Sequence, residues 1–420
     1  MRVLAGLLAL WAGAAGAQGR LDGHGGPIMD LAVTEQGRVV SASFDNSVGL
    51  WSSAGVPAWL EGHQAAVTAI LPLPDGALVS AGDDFRVLLW SGSDAAPVEL
   101  GRHAGKISDL AASGDHVISA SWDGTIALWP LDGGKAIQLA GHEAGVNAVV
   151  LGPSGRLWSA SSDGSIRLWD VASGTSRPIV RHGFGINRMV LGDGWLAYGA
   201  VDGVTRIVDP LTGDSLRDYT LDRRPILSMA HEPRHGLLAV GDGDGWIMVL
   251  NTADWSLARD FRAMKSGPVW ALAFSADGAT LWAGGLDQAI HGFALDGDVQ
   301  PIDAGEQQFL RPPAEMSNGE RQFMRKCSIC HALSPGPSRR AGPSLAGLFG
   351  RRSGTLEGYP YSERLSRGDI VWTDRTIDAL FDQGPDHYVP GTKMPMQVIA
   401  RPEDRADLIA FLRDATETTK

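Results

Sequence analysis

Three patterns of apolar and polar positions divide this chain of 420 residues. The first is a single apolar run, Val3 to Ala12, behind the basic start Met1-Arg2. It is too short to span a bilayer as a helix of about twenty residues. The small-residue site Ala15-Gly16-Ala17 follows it, so residues 1–17 read as a secretory signal peptide with Gln18 as the mature start. Nothing later is apolar enough to form a transmembrane segment. The second pattern is a long series of short apolar runs broken by glycine. The 54 Gly and 14 Trp imply many strands and tight turns. The third lies at the end of the chain, where Leu408, Ile409, Phe411, Leu412 and Ala415 mark the apolar face of a helix. Pro402 suits the first turn of that helix, and Glu403 and Asp404 suit its positive end. An earlier helix is expected from about Asn318 into the stretch around Cys327.

The middle pattern is a repeat. Trp51, Trp90, Trp129 and Trp169 stand 39, 39 and 40 residues apart. Six positions before each is an Asp (Asp45, Asp84, Asp123, Asp163), and four before each Asp a Ser (Ser41, Ser80, Ser119, Ser159). Upstream again is a His: His24, His63, His103, His142. The register continues as the wording decays, through His182, Tyr198, Asp202 and Val208, then Asp244 with Leu250, then Asp287 with Phe293. A period near forty with these residues resembles the WD-repeat family, whose propeller blades have four strands each. The resemblance implies an all-β, seven-bladed propeller over residues 18–303. It also implies that the His, Asp, Ser and Trp of each blade form a polar network that fixes blade geometry. A Ser-His-Asp catalytic set is the competing reading, but catalysis needs one site and architecture needs many. For closure of the ring, the segment 298–303 is expected to complete the seventh blade in preference to the residues after Gln18.

Of the 11 His, six are taken up by these turns and by the motif described next. Pro233 between His231 and His235 places that pair on a loop. His116 falls in a hairpin turn, and His387 lies close to the Met394 loop.

Cys327-Ser328-Ile329-Cys330-His331 carries the chemistry. C-x-x-C-H is the attachment signal for a c-type haem. Two thiols three residues apart add to the two porphyrin vinyl groups, and the adjacent imidazole serves as proximal iron ligand. A structural zinc site needs about four N or S ligands, and the sequence has only these 2 Cys. One covalent haem c, attached outside the cytoplasm, agrees with the export signal.

Downstream come Gly342-Pro343-Ser344-Leu345-Ala346-Gly347-Leu348-Phe349-Gly350-Arg351, Tyr359-Pro360-Tyr361, Val371-Trp372-Thr373 and Val389-Pro390-Gly391-Thr392-Lys393-Met394-Pro395. Their order and wording resemble the mitochondrial-type class I cytochromes c, over about residues 305–417. The resemblance implies a small all-α cytochrome c domain at 318–420, after a linker at 304–317 that contains Pro312-Pro313. It implies His331 and Met394 as the iron ligands and the Pro343 carbonyl as the group holding the imidazole's other nitrogen. Arg351, Tyr361 and Trp372 fall on haem-propionate contacts, and Thr392 belongs to the ligand loop. Met396, two residues on, competes with Met394 as ligand. Leu380 stands where the family carries a Tyr that hydrogen-bonds the Met sulfur.

Charge is uneven. Residues 1–304 carry 20 Lys+Arg against 33 Asp+Glu, or −13; residues 305–420 carry 16 against 15, or +1. No nucleic acid partner is expected of so acidic a chain. With both axial positions of the iron filled, the expected role is single-electron transfer, with a redox partner protein docking on the propeller and the haem edge. The alternatives are a propeller-containing haem enzyme, similar to nitrite reductases, and a redox sensor or scaffold. The export signal makes the expected location periplasmic.

Overall fold

The computed structural model describes residues 19–296 and 316–417, except 94, 153–154, 220–224, 266, 329, 337–339, 360, 391, 393 and 395–397. The expected signal peptide, most of the expected linker and Met396 therefore lie outside the described residues.

Seven four-stranded antiparallel sheets form the first part. In blade 1, after the short strand β1 (Arg20–Asp22), β2 (Ile28–Val33), β3 (Val39–Ser43), β4 (Ser47–Trp51) and β5 (Pro57–Glu61) follow in chain order from the inside of the ring outward. Every residue of β3 is buried, as is every residue of the equivalent strands Leu78–Gly82 and Leu157–Ser161. Each such strand lies between two neighbouring blades, so both of its faces need small or apolar side chains. The outermost strand of blade 2, Val98–Arg102, has no such cover and is largely exposed. The cores run between blades: Val79 and Val87 of blade 2 pack with Ile107, Val117 and Trp129 of blade 3.

β1 closes the ring. It pairs antiparallel with the strand Ala289–Ala294, with Arg20 opposite His291 and Leu21 opposite Ile290. The Gly292 N–H also donates to the Gly19 carbonyl at 2.6 Å. The expectation that residues 298–303 complete blade 7 is corrected, because β1 already occupies the outer edge of that sheet. Leu21 explains why: it is an apolar anchor packed with Trp51 and Ile290, at the junction of blades 7 and 1. Segment 298–303 itself lies outside the described residues.

A further regularity joins the blades. In each, the pairing of the first strand with the second shifts register by one residue. At four of these bulges the extra residue is Thr68, Ser108, Asn147 or Asn187. Its side chain donates to a first-strand carbonyl of the next blade: Ile107 at 2.5 Å, Val146 at 2.6 Å, Ile186 at 2.8 Å and Ile226 at 2.9 Å. The bulge re-aims a polar side chain sideways.

The polar sets of blades 1 to 4 are closed networks. His24 Nδ1 faces Asp45 at 2.9 Å, its Nε2 faces Ser41 Oγ at 2.7 Å, and Trp51 Nε1 donates to the same Oγ at 2.8 Å. Blades 2, 3 and 4 repeat this at His63, His103 and His142. In blade 5 His182 holds Asp202 at 3.0 Å and Tyr198 replaces the Ser. In blade 7 a different His does the work: His291, from the strand after the turn, reaches Asp287 at 2.6 Å. His231 is not on a loop but near the end of the strand Ile226–Glu232, edge-on to Trp195. His235 is in the following turn, bonded to Glu232 at 2.9 Å. His116 opens the strand His116–Ser121 and bonds Asp115 at 2.7 Å.

The second part is a small, mostly helical domain. α1 (Asn318–Lys326) is capped by Ser317, whose side chain accepts from the Glu320 N–H. α2 (Glu363–Ser366), α3 (Asp374–Gln383), α4 (Pro385–Tyr388) and α5 (Pro402–Thr416) follow. α1 crosses α5 at Gly319, where a Cβ would lie 2.0 Å from the Asp407 carbonyl oxygen. Phe323 and Phe411 meet at the same crossing, their ring centres 5.6 Å apart. Buried Arg405 ties α5 to α3, bonding Asp378 at 2.7 Å. No helix among the described residues is long and apolar enough to cross a membrane.

Candidate functional site

The helices enclose a cavity of about 340 Å³, largely apolar, into which the sequence-marked residues converge. α1 delivers the Cys pair. At its end the chain tightens into a turn, with the Cys330 and His331 N–H groups both donating to the Cys327 carbonyl. Both cysteines are free thiols and buried. Burial pushes the Cys327 thiol up to about 12 and that of Cys330 to about 11. Thiols this hard to ionise suit a wall position, not a dithiol redox centre, which needs an accessible thiolate.

His331 is fixed through one nitrogen. Its Nδ1 donates to the Pro343 carbonyl at 2.8 Å. That assignment leaves Nε2 as the lone-pair nitrogen, and among the described residues nothing hydrogen-bonds it. Desolvation lowers the basicity of the ring, with the Pro343 bond opposing. Gly342 makes room for it, since a Cβ there would come within 2.4 Å of the imidazole. The chain between His331 and Pro343 is held by Arg340, which donates to the His331 carbonyl at 3.1 Å.

Met394 lines the same cavity, beside Leu380, Phe381 and Val389 of the helical core. Its loop is shaped by Thr392, whose N–H bonds the Val389 carbonyl and whose hydroxyl accepts from the Met394 N–H. Gly391 and Lys393 of this loop lie outside the described residues. Leu380 is buried on α3 and offers no hydrogen bond to a sulfur.

Arg351, Tyr361 and Trp372 all line the cavity. The Arg351 guanidinium is anchored on two carbonyls, those of Ala346 at 2.9 Å and Ser344 at 2.8 Å. Three further lining groups were given no role by the sequence reading, although the first stands in one of its motif stretches. Tyr359, edge-on to Tyr361, donates to the Ala341 carbonyl and is pushed up to about 12 by burial. Ser353 is buried and Ser362 half-buried, and the hydroxyl oxygens of both are buried without a hydrogen-bond partner among the described residues. A serine between motif stretches gave no signal in the sequence. His387 is exposed on α4 and is not part of the lining.

These features fit a haem. One imidazole nitrogen is fixed and the other left open. A thioether and two buried thiols share the cavity, and two buried hydroxyls lack partners. Among the described residues no group of three His, Cys, Asp or Glu is placed to hold a metal ion elsewhere.

Comparison with known proteins agrees part by part. Residues 316–416 match the model of the family described as cytochrome c. Residues 17–52, 57–91, 98–130 and 134–170 match the WD domain, G-beta repeat. These are the four blades with the full His–Ser–Asp–Trp set. Cytochrome c of Sesamum indicum is 43% identical over 106 residues, covering 25% of this chain and 94% of that protein. Those of Ulva intestinalis, 42% identical, and Chlamydomonas reinhardtii, 40% identical, cover the same 25% of this chain and 94% and 93% of their own lengths. The crystal structure of the WD40 beta propeller domain of Doa1 superposes with a TM-score of 0.60 at 23% identity. It covers 66% of this chain and 95% of that one, a likeness of fold.

Proposed function

The chain belongs to the cytochrome c family through its C-terminal domain, which is fused to a WD40 β-propeller, and on that premise we propose that it carries single electrons through one covalently bound haem c, with the propeller as the docking platform for its redox partner. The observation that carries this reading is the convergence of Cys327, Cys330, His331 and Met394 on one cavity. A haem bound there supplies reversible exchange of one electron between ferrous and ferric iron. The chain supplies the rest. Cys327 and Cys330 provide the thioether links. The Pro343 carbonyl orients the His331 ring so that Nε2 is the ligand. Met394 would supply a second ligand to a bound haem iron from the same cavity, which would leave no coordination site for a substrate. The helical core around Leu380 and Phe381 excludes water.

The acidic propeller supports the partner's role. The −13 of residues 1–304, against +1 for residues 305–420, makes it the source of the long-range field, and complementary charge mainly raises association rate. We read the location as periplasmic, from the apolar run and small-residue site at the N-terminus.

The test is the intact mass and visible spectrum of the protein made alongside a haem-maturation system. One haem per chain, low-spin and hexacoordinate in both oxidation states, is expected. A mass equal to the bare polypeptide overturns the haem reading. A second chromophore, or an iron that binds small ligands, moves the assignment to an enzyme.

A further inference from the structure

The cavity in the helical domain is not closed by that domain alone. Phe44, Asn46, Gln64, Ala66 and Asp83, all from the propeller, line it as well. Phe44 and Asn46 flank Asp45 in the turn of blade 1, and Asp83 precedes Asp84 in the turn of blade 2. Gln64 and Ala66 lie in the entry to blade 2, between His63 and the strand Val67–Pro72.

Two independent observations single out this contact. The first is polar. Among the described residues six buried side-chain oxygens lack a hydrogen-bond partner, and four of them line this cavity. Two belong to each domain: Asn46 Oδ1 and Asp83 Oδ1 from the propeller, Ser353 Oγ and Ser362 Oγ from the helical domain. Buried polar groups in native proteins are nearly all partnered, so a cluster of orphans around one cavity marks a missing polar ligand edge. The second is in the backbone. In blades 3 to 6 the residue after the turn Asp is Gly124, Gly164, Gly203 or Gly245, each with positive φ. In blades 1 and 2 it is Asn46 and Phe85, at φ 72° and 68°. Asn tolerates this left-handed conformation, but for a bulky residue such as Phe85 it is an outlier, and such positions cluster at functional sites. Blade 7 has Gln288 at this position without a positive φ, so the non-glycine residues that hold the left-handed conformation in these turns fall in the two blades that reach the cavity.

We propose that blades 1 and 2 form the outer wall of the haem crevice, so that the propeller, through Asn46 and Asp83, sets the reduction potential of the haem in the neighbouring domain. This rests on the haem reading above and deepens it: the propeller becomes part of the cofactor site as well as a platform beside it. Burial and hydrogen bonding are two of the levers by which a protein tunes haem iron. A negative charge on this wall, in a low-dielectric setting, favours ferric over ferrous iron. Asp83 holds that position. Burial raises its carboxyl above the usual carboxylate range, with Lys106 opposing and Asp84 adding to the rise.

The experiment is spectroelectrochemical titration of the full-length, haem-loaded protein at neutral pH. Three variants are compared with the unaltered chain. Asn46→Asp adds a carboxylate in a conformation Asp tolerates. Asp83→Asn removes one without changing shape. Val201→Asp adds a carboxylate at the blade 5 position equivalent to Asp83, where the side chain is 45% exposed and off the cavity. At fixed applied potential, Asn46→Asp should raise the ferric-to-ferrous ratio at least threefold and Asp83→Asn should lower it at least threefold. Val201→Asp should leave it within twofold. A purely structural role for the turns would not produce opposite signs that follow charge. Equal shifts in Asn46→Asp and Val201→Asp, or no shift in the first two, overturn the wall. Absence of haem from the unaltered protein would instead overturn the reading on which the wall rests.

Discussion

His103 in the propeller and His331 in the cytochrome c domain are held alike at one nitrogen and differently at the other. Each donates from Nδ1 to an oxygen, Asp123 at 3.0 Å and the Pro343 carbonyl at 2.8 Å. The Nε2 of His103 then accepts from Ser119 at 2.7 Å, and Ser119 in turn accepts from Trp129 at 2.7 Å. That network ends with every member satisfied. The Nε2 of His331 meets no hydrogen-bonding group among the described residues, only a cavity. The same side chain serves architecture where its second nitrogen is closed and chemistry where it is open. The sequence context tells the two apart: one set recurs every forty residues and the other occurs once.

The largest expected effect that tests this comparison is at the open site. Met394→Ala should expose an axial position on the iron and lower the reduction potential by at least about 59 mV, a tenfold change for one electron. The ferric sulfur-to-iron charge-transfer band should vanish with it, while Met396→Leu keeps both. The reverse outcome would transfer the ligand assignment to Met396. Leu380 gives the sulfur no hydrogen bond, so the band should also weaken at mildly alkaline pH in the unaltered protein.

Next in size is ring closure. Leu21→Ala removes a buried side chain at the pairing that joins β1 to blade 7. The cost should be about 2 kcal/mol, the low end for a core leucine, because β1 is an edge strand. Ile302→Ala should be silent. If thermal denaturation shows the opposite ranking, segment 298–303 bears the closure after all.

A single closed network comes third. Asp123→Ala leaves the His103 Nδ1–H and the Ala104 N–H without the oxygen they share. An unsatisfied buried donor costs about 1–3 kcal/mol. Melting temperature should fall while the haem spectrum stays as it was. A changed spectrum at full stability would show that blade 3 touches the haem, which the cavity lining does not include.

What could be read from the chain follows this same division. The networks were legible because His, Ser, Asp and Trp keep their identity through four copies. The latches at Thr68, Ser108, Asn147 and Asn187 were not, because position is kept while identity varies. Their spacings of 40, 39 and 40 residues are the signal that would have found them. His291 was missed because it replaces the upstream His from the other side of its Asp. Ring closure was misjudged because a three-residue strand such as Arg20–Asp22 has too little pattern of its own; only its neighbours give Leu21 a core. In the cytochrome c domain the helix starts at Asn318 and Pro402 followed from capping residues and were found there. The propeller's share of the cavity was beyond sequence reasoning, since the two parts meet only in space. Residues from both sides of the proline-containing linker line one cavity.

The smallest effect expected is a two-step loss of propeller stability in acid, and it tests whether the closed networks are neutral. Burial lowers the basicity of His103 and His142, with Asp123 and Asp163 opposing. A histidine lowered in the folded state binds its proton first in the unfolded chain. Its contribution is therefore complete above the ordinary value of about 6.5 and declines as pH falls below it. The carboxylates behave as a second stage. Burial pushes Asp163 up, but bonds from Ser165, His142 and the Glu143 N–H together hold it at about 2. Asp45, Asp84 and Asp123 are lowered in the same way, against burial, by their own hydrogen bonds. Their stabilisation is present above the ordinary carboxylate value of about 3.9 and is lost as pH falls on toward 2. Melting curves of the full protein should thus show one shallow decline below about 6.5 and a steeper one below about 4. His142→Gln should flatten the first and leave most of the second, because the Asp–His pairs of blades 1, 2 and 3 remain. A first decline that is unchanged in His142→Gln and equally unchanged in His103→Gln would mean that these histidines are already charged in the folded blades, and that the closed networks are ion pairs.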